Sequence, residues 1–254
     1  MYRVVLFYVL VLLLGVILGS ISKNIGLDPI VVFLSWILFA LAWCYINGIN
    51  FEQVGLKCNF RSIVYFIIGL VFGTLSLSSI VCIILLANFG YIRATYASID
   101  GLYVSYLILF TLIQALAEEL VFRSYPLSEL SYVDKNKGLL ATAIIFGCLH
   151  VFNANFTIFA FLTLFLASIF LGKLFLKIKN TWVIAGFHAG WNIAEGFIFG
   201  VPISGISPTK SIFILKMMGP EILTGGKFGL EGSIIATFIF LMLIIILTWD
   251  WNKN

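Results

Sequence analysis

The chain has 254 residues, 62% hydrophobic and 10% charged, with a net charge of +4 and a mean hydropathy of +1.13. A soluble domain carries about 25% charged residues, so this chain cannot cover a water-facing surface; it reads as all-α, a polytopic transmembrane helical bundle forming a single integral-membrane domain over residues 1–254. Its basic residues are scattered between apolar runs, which excludes a nucleic-acid surface and fits a topology signal.

A helix rising 1.5 Å per residue needs about 20 apolar residues to cross a bilayer. Eight runs qualify: 3–22, 28–48, 63–90, 102–123, 137–154, 157–177, 181–201 and 232–250. The first lacks a small-x-small cleavage site and reads as a retained span. "HVFNANFT" (150–157) marks a tight loop or a break in a longer run. The one long connection, 202–231, holds "LTGGKFG" and most of "VPISGISPTK", a composition expected for a loop covering the bundle. There is no internal repeat and no low-complexity linker. Cys44, Cys58, Cys82 and Cys148 form no CxxC and read as small hydrophobes, with no disulfide framework.

Lys and Arg set the orientation. With the N-terminus inside, the inner segments hold Arg3, Lys57, Arg61, Arg123, Lys135, Lys137, Lys173, Lys177, Lys179 and Lys253, against Lys23, Arg93, Lys210, Lys216 and Lys227 outside. Ten against five places both termini in the cytosol. The small size and the Ile-, Phe- and Asn-rich composition fit a bacterial cell membrane.

Ionisable groups inside a span cost about 2.5–3.5 kcal/mol each on insertion scales, so those present point to function. They are Glu118, Glu119, His150, His188 and Glu195, accompanied by Gln114 and Asn192; both histidines of the chain are among them. Glu119 and Arg123 are four apart and can pair along one helix face, as His188 and Asn192 share another. Glu118 points about 100° away from Glu119, free to face a cavity. A free carboxylate and an imidazole can hold and deprotonate a water, and an imidazole beside an amide can donate to an oxyanion: the two halves of a peptide hydrolase. One tension remains. Glu118 and His188 lie about 10 Å in from the cytosolic ends of their spans and His150 about 20 Å, so tilt or a shorter membrane entry must absorb the difference. Gln114 reads as interhelical glue, Trp191 as packing or lipid-facing, Lys173, Lys177 and Lys179 as an anchor, and Glu195 as equally suited to lining a site or to structure.

"EELVFR" (EExxxR), "FGCLH" (FxxxH) and "HAGWN" (HxxxN), in this order over residues 118–192, resemble the CPBP family of intramembrane proteases. That family includes the type II CAAX prenyl endopeptidases and bacterial proteins linked to bacteriocin processing or self-immunity. The resemblance implies a peptide-bond hydrolase with its active site inside the bundle, acting on a membrane-embedded or lipidated peptide. It assigns Glu118 to water activation, His150 to holding that water, and His188 with Asn192 to the oxyanion; Glu119, Arg123 and Phe146 support them. Whether the protease is glutamate-dependent or metal-dependent stays open at this point. Glu118, His150 and His188 are donors of the type zinc takes, but HAGWN is not HExxH and Asn is a poor zinc ligand. Two other functions compete: a proton-coupled transporter, since buried Glu and His also mark ion pathways, and a non-catalytic bacteriocin-immunity or binding protein on the same scaffold.

Overall fold

The computed structural model describes residues 1–26, 28–95 and 100–251; Lys253, counted above as cytosolic, lies outside the described residues. All eight apolar runs are helical: α1 (Tyr2–Ile25), α2 (Ile30–Ile46), α3 (Phe60–Leu86), α4 (Gly101–Glu119), α6 (Lys135–Leu149), α7 (Ile158–Ile178), α8 (Thr181–Asn192) and α10 (Ile234–Trp251). Helices are what lipid dictates, because they satisfy every backbone polar group internally. By length and composition, Tyr2–Ile25, Phe60–Leu86, Gly101–Leu130 and Ile158–Ile178 can cross a membrane, and α2 and α10 are shorter apolar helices. Side-chain caps start several of them: Asn59 accepts from Ser62 N at 3.0 Å, Thr157 from Ala160 N at 3.1 Å, Asn180 from Trp182 N at 2.9 Å. Large apolar side chains such as Leu13, Val16, Ile67 and Leu75 stay exposed, as a bilayer solvent allows.

Two departures from the sequence reading matter for the site. The run expected to end at residue 123 does not. A π-helical turn, Leu120–Ser124, carries α4 into α5 (Tyr125–Leu130), giving a 30-residue rod. Arg123 looked like an interfacial stop because it is charged; it is fully buried instead, so it leaves the count of cytosol-facing residues. Pro126 is tolerated because it stands in the first turn of α5, where a missing N–H matters least. Second, the long connection and the link after α3 are not simply loops. Strands β1 (Gly90–Thr95) and β2 (Phe213–Met217) pair antiparallel, Gly90 opposite Met217 and Ile92 opposite Leu215, with a register shift before Thr95. On its other edge β2 is tied to the π-helical turn that extends α8 (Ile193–Ile198), Leu215 N donating to the O of its capping residue Phe199 at 3.0 Å. A short helix, α9 (Glu221–Thr224), and a 3₁₀ turn, Leu230–Gly232, complete the connection. The "HVFNANFT" stretch is a break: a 3₁₀ turn at His150–Phe152 precedes the cap of α7.

The tightest pairing is α3 against α8. Gly69 and Gly73 face Gly186 and Gly190, and a Cβ on any of them would lie 2.0–2.2 Å from a carbonyl oxygen of the partner helix. Backbones therefore meet without side chains between them, the small-xxx-small contact of membrane helices. Trp191 is packing, 4.8 Å from the Phe240 ring of α10. On the far side of the bundle, Phe7 of α1 lies 4.3 Å from the ring of Tyr125. The loops after α2, before α6 and between α7 and α8 gather at one end of the bundle; the strands gather at the other.

Candidate active site

The glycine seam aims α8. With Gly186 and Gly190 against α3, His188, about 200° round the helix from each, faces α4. The start of α8 is fixed level with the π-helical turn: Thr181 Oγ1 donates to Val54 O at 2.5 Å and accepts from Ser124 Oγ at 2.7 Å. Counting back from Ser124 to Glu118 gives about 9 Å, and from Thr181 to His188 about 10 Å. The two residues therefore meet at one depth. From the end of the 30-residue rod at Leu130, Glu118 is about 18 Å deep, and His150 is about 22 Å from the start of α6. The depth mismatch shrinks to a few ångströms because the rod is longer than the apolar run suggested.

The side chains form one connected network. Glu119 Oε1 accepts from Arg123 Nη1 at 3.0 Å and lies 2.8 Å from His188 Nδ1. A carboxylate only accepts, so Nδ1 carries the proton. His188 Nε2 is 3.9 Å from Glu118 Oε2. Gln114 Nε2 donates to Glu118 Oε1 at 3.2 Å, so this amide serves its own helix rather than gluing two helices together. Arg123 also donates through Nε to Ser168 Oγ of α7 at 3.2 Å and stacks 3.6 Å above the Phe146 ring. Phe146 in turn lies 4.6 Å, centroid to centroid, from the His150 ring. His150 Nδ1 is 2.8 Å from Phe146 O, a carbonyl that can only accept, so in neutral His150 the lone pair sits on Nε2.

Glu118, Glu119, Arg123, Phe146, His150 and His188 are thus linked in one chain of contacts. Asn192 is one turn beyond His188, 3% exposed, with Oδ1 lacking a partner. Among the described residues no direct hydrogen bond joins Glu118 to His150, or His188 to Asn192. Glu119 Oε2 and Arg123 Nη2 are also buried without partners. Each orphan costs about 1–3 kcal/mol, so the site holds unspent hydrogen-bonding capacity in the middle of an apolar bundle. A cavity of about 30 Å³, the space of one water, is lined by Arg123, Phe146, His188, Trp191 and Glu231.

Ser168 and Glu231 were not singled out from the sequence. Ser168 is one of two small polar residues, with Thr163, in the apolar run of α7, and Glu231 sits in a connection that carried no pattern. Glu195 Oε1 accepts from Leu230 N at 2.7 Å, which ties α8's end to the long connection, while its Oε2 is buried without a partner. Among the described residues no group of three His, Cys, Asp or Glu side chains is placed to hold a metal ion; Nδ1 of each histidine is held by an oxygen acceptor, which leaves Nε2 as the outward nitrogen of both rings.

Residues 100–194, just over a third of the chain, match the family model described as Rce1-like, type II CAAX prenyl endopeptidase Rce1-like. The match spans all three motifs and supports the CPBP intramembrane protease family, and with it protease activity at the level of the family. No curated protein matches the chain.

Proposed function

We propose, from the family that residues 100–194 match, that this integral membrane protein is a glutamate-dependent intramembrane endopeptidase cutting a membrane-embedded or lipidated peptide. The observation that carries the reading is the shared use of Glu119 Oε1 by Arg123 and His188, which leaves Glu118 beside the other ring nitrogen. One carboxylate is committed to holding the site; the other is available for chemistry. With His188 as imidazolium, the charges of Glu118, Glu119, Arg123 and His188 sum to zero, the arrangement an apolar interior tolerates best.

In this reading a water held between Glu118 and His150 Nε2 attacks the peptide carbonyl carbon. Glu118 takes the water's proton as the C–O bond forms. The oxyanion is met by the Nε2–H of His188 and by the Asn192 side-chain amide. The C–N bond then breaks, and Glu118 returns the proton to the leaving amine. Both chain termini are assigned to the cytosol, on the basic face.

The test is cleavage of membrane-anchored peptides, prenylated and unprenylated, by the purified protein. Glu118→Gln should slow cleavage by roughly 10²–10⁴-fold, the usual worth of a general base, with folding kept. Normal cleavage by both Glu118→Gln and His150→Ala would sink the assignment. A chelator should leave the rate within about twofold if Glu118 alone activates the water; a large loss would return the reaction to a metal. A cleavage-dead variant that still protects cells against a bacteriocin would favour the binding reading.

A further inference from the structure

A cavity of about 580 Å³ lies away from the catalytic network, at the end of the bundle where α3 and α8 begin and α7 ends. Two stretches, Asn50–Tyr65 and Ile178–Asn180, build its wall, with Glu52, Lys57, Arg61 and Lys179 as its charged members. Three cations against one carboxylate leave the wall net positive. Lys57 is paired to Glu52 at 3.0 Å. Arg61 and Lys179 have no carboxylate partner among the described residues, although both line the same space.

The wall is built rather than incidental. The Lys57 carbonyl accepts from Ser62 Oγ at 2.5 Å and from Trp182 Nε1 at 2.9 Å, and Thr181 N donates to Gly55 O at 3.0 Å. These bonds fasten the segment after α2 to the starts of both α3 and α8, so the cavity is preformed. Its depth is also set. Phe60, Ile63 and Ile67, all more than half exposed, begin the lipid-facing surface of α3 beside Arg61, so the cavity sits where apolar surface gives way to polar headgroups. The local field favours an anion. Burial, then the neighbouring Lys135 ammonium, hold the Lys179 ammonium below its usual pKa, a penalty that a bound negative charge would relieve.

We propose that this cavity binds the phosphate group of an anionic lipid headgroup, with Arg61 and Lys179 as its charged contacts and Tyr65 in its wall. This does not depend on the protease reading. The occupant would brace Asn180, the residue that caps the helix carrying His188.

The test uses the full chain in an uncharged detergent, with lipid retention read by native mass spectrometry and thermal unfolding. Phosphatidylglycerol should be retained and raise Tm, and phosphatidylcholine should do neither. At about fivefold per cation near a membrane surface, the double variant Arg61→Gln/Lys179→Gln should weaken phosphatidylglycerol binding about 25-fold. Lys137→Gln, an exposed lysine at the same end of the bundle, should bind like the parent. Equal retention of both lipids, or undiminished binding by the double variant, would overturn the proposal. Protection by inorganic phosphate equal to that by phosphatidylglycerol would overturn the lipid assignment and leave a soluble-anion site.

Discussion

Helices α1 and α8 obey opposite rules. α1 has 24 residues and buries five of them; α8 has 12 and buries ten. The long helix is held by lipid, and its composition alone declares it. The short one is held by protein on every side. It carries two of the proposed site residues, His188 and Asn192, together with two glycines of the seam. Chemistry in a bundle needs a helix whose neighbours fix its rotation and depth, and a lipid-facing helix has no such neighbours. The π-helical turns that follow α4 and α8, Leu120–Ser124 and Ile193–Ile198, fit the same division, since such turns concentrate at functional sites.

The sharpest way to break the comparison is to put the same side chain on both helices. Gly190→Val would start its Cβ 2.1 Å from Leu70 O, whereas Gly19 of α1 has nothing within 4 Å. The α8 variant should lose more than about 3 kcal/mol, or fail to accumulate folded protein, because backbone cannot yield as a side chain can. Gly19→Val should stay within about 0.5 kcal/mol. Thermal unfolding in detergent reads both; equal losses would mean that the seam does not hold α8.

A second comparison uses arginine. Arg123→Met leaves Glu119 buried without its guanidinium and should cost about 3–5 kcal/mol, partly recovered in Arg123→Met/Glu119→Gln. Arg3→Met on exposed α1 should leave unfolding unchanged. A large loss at Arg3, or none at Arg123, would contradict the assignment of buried and exposed roles.

The smallest effect is at the helix starts. Asn180→Ala removes the side-chain acceptor for Trp182 N and Val183 N and should cost about 1 kcal/mol. α1 begins at Met1 with no side-chain cap, so changes there should be silent. Hydrogen exchange at the first turn of each helix would separate them.

The same contrast explains what could be read from the sequence. The eight helices were legible because each falls in a long apolar run, although among the described residues only Tyr2–Ile25, Phe60–Leu86, Gly101–Leu130 and Ile158–Ile178 reach the length and composition of a span. The Glu119–Arg123 pair was legible because four residues make one helix turn. The bond from His188 to Glu119 was not, since nothing local says which face of α8 meets α4. Both GxxxG stretches stand plainly in the sequence, but spacing alone cannot match one to the other. The rod's true end at Leu130 was hidden by Arg123, because a charge in an apolar run looks like a boundary unless its partner is known. The strands, only six and five residues long, carry too little alternation to stand out between spans.

The glycine seam also sets a schedule for biosynthesis. Gly69 and Gly186 are about 117 residues apart, and ribosomes add roughly 5–20 residues per second. α3 therefore enters the bilayer roughly 6–23 seconds before its partner exists. For that interval its bare backbone stripe faces lipid or the insertion machinery, and a competing helix with a small-residue face would find it open.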